Sequence, residues 1–191
     1  LEPATATVST QITNQSGQLE RMFSGRAASY ADIARGWSFG REVSDLIEAQ
    51  HTDIERLPIS VVLGVAGVGK TTAVRMALSR LTARDVECWE HKTDFSFEPE
   101  QWSKVNDELI KRKKTGVLFV DDSHLFLREL NRLIEMLSAK DTWALRLILV
   151  SSRPHWNPRL KSAELFKNRE EYELSRLSVT EINGLLDLLD S

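Results

Sequence analysis

The segment LGVAGVGKTTAV, residues 63–74, constrains the fold of this chain more than any other. Glycine loses more conformational freedom on folding than any other residue, so a run this rich in it implies a backbone path that side chains would block. Gly64-Val65-Ala66-Gly67-Val68-Gly69-Lys70-Thr71 fits the phosphate-binding pattern G-x-x-x-x-G-K-[ST]. A phosphate chain needs several donors converging at short range. Backbone N–H groups of the loop supply them where no side chain intervenes, and a helix starting near Lys70 adds its positive end. Lys70 is expected to reach the β- and γ-phosphates as a point charge, and Thr71 to give its hydroxyl to Mg²⁺. Thr72 either faces the α-phosphate side or continues the helix. The context fits the motif: the apolar run Ile59–Gly64 reads as a buried strand, and KTTAVRMALSRL reads as a helix.

The chain then alternates. VECWEH (86–91), GVLFVDD (116–122), LRLILVSSR (145–153) and EYELS (171–175) read as strands; EPEQWSKVNDELIKRK (98–113), HLFLRELNRLIEMLSA (124–139) and SVTEINGLLDLLD (178–190) read as helices. Strands apolar on both faces between helices predict an α/β fold, a central parallel sheet flanked by helices in three layers, with ligands at the carboxyl ends of the strands. Residues 1–18 are polar and small and are expected to be a flexible lead-in. Residues 19–57 read as an N-terminal helical segment, and 58–191 as the nucleotide-binding core.

VLFVDDSH ends a buried strand in Asp121 and Asp122. A carboxylate at a strand tip accepts from metal-bound water, and its neighbour polarises the attacking water. Asp121 is assigned to the metal and Asp122 to water activation; the competing reading is that the acids cap the following helix, a role that also suits Ser123. The strand between the two motifs argues against simple kinase and GTPase topologies. Neither an NKxD-like guanine reader nor a D-x-x-G after the acids is present, so ATP is preferred over GTP. LILVSSR places Arg153 at the end of a further strand, where a guanidinium can meet a γ-phosphate or simply pair with a surface acid.

In this order, GVAGVGKTT, VLFVDDSH, LILVSSR and YELSRLSVTEINGLL resemble the STAND NTPases, the NB-ARC and NACHT relatives of AAA+ ATPases. The resemblance implies an AAA+/STAND-like strand order, a sensor role for Arg153, and a segment of the form hydrophobic-x-L-x-x-L-[ST]-x-x-E leading into the helix that closes the core. Gly40, Arg41 and Glu42 match the group's G-R-[ED] element near the adenine, with MFSGRAA (22–28) as a competing match. Trp37 or Phe39 is a candidate for the adenine pocket. The group continues into a helical lid and a winged-helix domain; this chain stops at Ser191 without an effector motif, which suggests the nucleotide-binding core of a larger protein or a short stand-alone relative. The resemblance implies ATP/ADP with Mg²⁺, slow hydrolysis, and self-association or attached effector and sensor domains, with antiviral defence or immune-like signalling by analogy.

The remaining features exclude more than they add. A formal charge of −3 gives no reason to expect nucleic acid or an anionic membrane. KRKK (111–114) sits at a helix end, where it complements the dipole. The single cysteine, Cys88, excludes an internal disulfide and a cysteine-based zinc site, and a reducing, cytoplasmic setting is the simplest expectation. The histidines share no ligand spacing, although His124 is placed to approach the phosphates. Three functions compete: an ATP-driven switch, preferred; a ring-forming AAA+ motor or loader needing a trans arginine, for which Arg159 or Arg169 is available; and a nucleotide-dependent scaffold. Small-molecule kinase activity lacks an acceptor site.

Overall fold

The computed structural model describes residues 4–14, 26–140, 142–157 and 160–189. Six strands form one sheet in the spatial order β1-β3-β4-β5-β2-β6. They are β1 (Thr5–Thr7), β2 (Ile59–Gly64), β3 (Glu87–His91), β4 (Gly116–Val120), β5 (Leu145–Ser151) and β6 (Arg169–Leu174). All neighbouring pairs are parallel except β1 with β3. β5 lies between β2 and β4, so the strand that carries the glycine loop and the one that ends in the acid pair are separated by one strand.

The eight helices among the described residues are α1 (Val8–Asn14), α2 (Tyr30–Ala34), α3 (Glu42–Thr52), α4 (Lys70–Ala83), α5 (Pro99–Lys111), α6 (Leu127–Ser138), α7 (Ala163–Lys167) and α8 (Val179–Leu189). β2, β4 and β5 are buried at every residue. Successive side chains of a strand point to opposite faces, so such strands feed two cores at once. Val61, Leu147 and Leu149 pack with Leu130, Leu133 and Ile134 of α6 and Trp102 and Leu109 of α5. Val62, Ile148 and Val150 pack with Val74, Leu78 and Leu81 of α4 and Ile47 of α3.

The helical reading of the N-terminal segment is reduced by the structure. Residues 19–25 lie outside the described part; the helices described between 26 and 57 are Tyr30–Ala34, started by a capping box between Ser29 and Asp32, and Glu42–Thr52. Residues 4–14, within the expected lead-in, form β1 and α1, with Thr5 opposite His91 and Thr7 opposite Trp89. β-Branched threonines suit an edge strand, and the fully buried Val8 anchors the turn that follows. The acid pair also lies just past β4, which ends at Val120, and a 3₁₀ turn (Ser123–Phe126) intervenes before α6.

Candidate functional site

Gly64 ends β2 directly beside β6. A Cβ at this position would stand 2.5 Å from the Leu174 carbonyl oxygen, so the two strands can close only over glycine. Gly67 and Gly69 have φ of +76° and +94°, left-handed values that cost an L side chain strain. Gly69 is also the N-cap of α4 and, with no side chain, leaves the first-turn amides without the usual side-chain cap. Uncapped N–H groups at the start of a 14-residue helix form an anion site, and this one lies at the carboxyl end of a central parallel strand. Lys70 Nζ is held at the same loop, donating to the carbonyls of Gly64 (3.0 Å) and Val65 (2.8 Å).

Thr71 Oγ1 donates to Asp121 Oδ2 at 2.7 Å, bringing the glycine-loop helix and the end of β4 to one point. A hydroxyl and a carboxylate meeting there are hard oxygen donors of the kind Mg²⁺ takes. Burial raises the pKa of Asp121, against the opposing effect of the hydrogen bonds from Thr71 and the Asp122 N–H; a divalent cation would reverse that balance. Asp122 is exposed and adopts φ 44°, ψ 39°, and its side chain caps nothing. The capping reading of the acids therefore finds no support in its geometry. Ser123 donates instead to the Val150 carbonyl at 2.9 Å, fastening the turn to β5.

His124 sits beside this junction. Its Nδ1 lies 3.2 Å from Ser151 Oγ at the end of β5, and its ring lies 4.6 Å from that of His155. Burial and the neighbouring His155 lower its pKa, partly offset by Asp122 and Asp121. Arg153 opens the 3₁₀ turn Arg153–His155 and is ion-paired with Glu173 of β6, with Glu171 at 3.8 Å. In this arrangement the guanidinium is engaged by acids.

A cavity of about 550 Å³ adjoins the loop. Ala28, Phe39, Val68, Leu177 and Ile182 give it an apolar lining, while Gly67, Gly69 and Thr72 connect it to the phosphate end. Arg26 and Arg41 both line it, so each of the two G-R segments considered from sequence contributes an arginine. Phe39 is in the wall; Trp37 instead lies under the Arg35 guanidinium, 5.2 Å from its ring centroid. The Arg41 guanidinium faces protein groups: Nη1 donates to the Val68 carbonyl at 2.8 Å and Nε to Glu181 at 2.9 Å.

A second network escaped sequence reasoning. Arg75 of α4 pairs with Glu90 of β3 at 2.7 Å and donates to the Ala28 carbonyl at 3.0 Å, while the Tyr30 hydroxyl donates to Glu90 at 2.7 Å. These groups hold the segment before α2 against the loop helix. No local signal marks them, because the bonded pairs are 15, 47 and 60 positions apart and lie on different elements. Three of the four KRKK side chains pair with acids: Lys111 with Glu108, Arg112 with Glu87 and Lys114 with Asp85. Among the described residues no group of three or more His, Cys, Asp or Glu side chains is placed to hold a metal, and no helix is long and apolar enough to cross a membrane.

A glycine loop at the end of a central parallel strand, a side-chain-free helix start and a Thr–Asp junction across one inserted strand define a P-loop NTPase of AAA+ type. The chain belongs to the STAND NTPases, since the family model Novel STAND NTPase 5 matches residues 20–164. Comparison with curated proteins gives no match. Many solved structures share the fold, two of them as follows. One is Hsp104 in a closed state with ATPγS and FITC casein, with TM-score 0.57 and 19% identity over 83% of this chain. The other is the ORC2 protein of Aeropyrum pernix in ADPNP–ADP complexes, with TM-score 0.56 and 12% identity over 78% of this chain. This chain spans 31% of the Hsp104 chain and 50% of the ORC2 chain.

Proposed function

We propose that the chain is the ATP-binding and slowly hydrolysing core of a nucleotide-dependent switch, with residues 58–191 as its core and 19–57 as the segment flanking the base. The observation that carries this reading is the Thr71–Asp121 junction at 2.7 Å, which joins the glycine-loop helix to the acidic strand end. The amides of 64–72 and Lys70 bind the phosphates, and the cavity behind Gly67 and Gly69 takes the adenine between apolar walls. Mg²⁺, held by Thr71 and Asp121, would supply positive charge against the β- and γ-phosphates. Asp122 accepts a proton from the attacking water, a role suited to its exposure and its freedom from capping. Arg153 completes the site by leaving Glu173 for the γ-phosphate, a rearrangement that fits slow turnover.

A specific observation weighs against the ring-motor reading. Arg169, one of the two arginines considered for service in trans, pairs with Glu171 at 2.7 Å and lies 3.9 Å over the Phe166 ring, its side chain only 14% exposed. Arg159 is outside the described residues. Signalling and antiviral roles, self-association and attached effector domains rest on family membership. The test is equilibrium binding of fluorescent ATP and ADP with single-turnover hydrolysis. Wild type should bind both and hydrolyse slowly, Lys70→Ala should lose binding by tenfold or more, and Asp122→Asn should bind but not hydrolyse. Hydrolysis undiminished in Asp122→Asn would sink the assignment of that residue, and fast turnover rising with protein concentration would restore the motor.

A further inference from the structure

Two segments 140 positions apart meet over one wall of the base cavity. Arg41, at the start of α3, presents Nε to Glu181 Oε1 at 2.9 Å and Nη2 to Glu181 Oε2 at 3.2 Å, a forked pairing with two parallel bonds. The same guanidinium donates to the Val68 carbonyl within the glycine loop at 2.8 Å and to the Ser175 carbonyl, beyond β6, at 3.2 Å. Both partners are largely withdrawn from water, their side chains 10% and 15% exposed. Glu181 has a second task. It completes a capping box with Ser178, accepting from the Ser178 N–H at 2.8 Å while its own N–H donates to Ser178 Oγ at 3.2 Å. One carboxylate therefore both starts α8 and fastens it to the loop.

A steric contact supports the same join. A Cβ at Gly184 would stand 2.7 Å from Phe39 Cε2, so α8 seats against the Phe39 ring only because position 184 is bare. Phe39 and Arg41 on one side and Ile182 on the other line the cavity. Anything that fixes the cavity walls also fixes α8, and by linkage a seated α8 retains whatever fills the cavity.

Resting on the nucleotide reading above, we infer that Arg41–Glu181 is a latch that couples occupancy of the base cavity to the seating of α8, with Arg41 a positioning residue acting through Val68 rather than a ligand of the base. An 11-residue helix is marginal without its cap and its docking, so release of Glu181 loosens α8 as a unit. The C-terminal end of the chain thereby reports the nucleotide state.

The experiment measures dissociation of a fluorescent ADP by stopped flow and amide exchange over 179–189 with and without ADP, in wild type, Glu181→Gln, Gly184→Val and the conservative Glu181→Asp. ADP should slow exchange over 179–189 in wild type. Glu181→Gln and Gly184→Val should each speed ADP release tenfold or more and abolish that protection, and Glu181→Asp, which keeps a carboxylate for Arg41 and the Ser178 N–H, should retain part of it. If wild type binds ADP but Glu181→Gln and Gly184→Val release it within twofold of wild type, the latch is wrong and the nucleotide reading stands. If wild type binds neither ADP nor ATP, both fall together.

Discussion

Thr72 Oγ1 accepts the backbone N–H of Ala28 at 3.1 Å, so the helix that follows the glycine loop is tied, one residue past Thr71, to a segment that lines the adjoining cavity. Thr72 continues the helix, as one of its two sequence readings expects, and also makes this contact. Its hydroxyl is a joint between the two halves of the site. Thr72→Val keeps the shape and removes the acceptor, leaving the part-buried Ala28 N–H unpaired at a cost of about 1–3 kcal/mol. The expected result is ADP affinity weakened by about tenfold or more, with inorganic triphosphate binding little changed. Competition titrations with the two ligands separate the effects.

Arg153 supplies a second prediction. Its pairs with Glu173 and Glu171 must break for it to meet a γ-phosphate. Arg153→Ala should leave ADP affinity within about twofold while lowering single-turnover hydrolysis by an order of magnitude or more. Glu173→Gln, which frees the guanidinium, should raise the hydrolysis rate. Equal rates in all three proteins would return Arg153 to the surface.

His51 makes stability depend on pH. It is almost completely buried, with Nε2 2.8 Å from Ser60 Oγ, and burial followed by the charges of Arg146 and Arg56 holds its pKa well below the ordinary histidine value. In the window between the lowered and the ordinary value, the unfolded chain binds the proton and the folded one does not. Stability is therefore fully present above about pH 6.5 and falls as pH drops toward the lowered pKa, by up to about 1.4 kcal/mol per unit. Burial lowers the values of His91 and His124 as well, which adds to the same slope. Urea melts from pH 7.5 to 5.5 should show a decline that is shallower in His51→Gln.

Arg146 ties the beginning of β5 to the elements before β2. It is 2% exposed, and Nη2 donates to the carbonyls of Gln50 (3.0 Å), Arg56 (2.9 Å) and Leu57 (2.9 Å), stitching the end of α3 and the following loop to β5. Arg146→Met would fill the volume but strand the Gln50 and Arg56 carbonyls, while the Leu57 carbonyl keeps the Gln50 side-chain amide at 2.6 Å. A loss of about 3 kcal/mol or more is expected, read as a lower urea midpoint at unchanged m-value.

The loop, the acid pair and the alternation of strands with helices were legible because each is a local pattern. Three glycines around Lys70 and Thr71 specify a backbone path within one strand–loop–helix unit, and the apolar runs 59–64, 116–120 and 145–150 specify buried parallel strands. The N-terminal segment was read less well, since polar threonines that complete a sheet edge look in sequence like threonines in a tail. The motif S-x-x-E announced the start of α8, but nothing in its spacing announced Arg41 as the partner of Glu181.

The sequence by itself determined where the glycine loop and its helix lie, because that pattern is carried within a dozen consecutive residues. The tertiary structure alone decided what encloses that site. Which acid holds Arg41 in the cavity wall and how the segment before α2 meets the loop helix depend on contacts such as Arg41–Glu181, Tyr30–Glu90 and Thr72–Ala28. Such contacts exist only after the sheet has brought distant segments together, and their energy comes from burial and pairing that no stretch of chain has on its own.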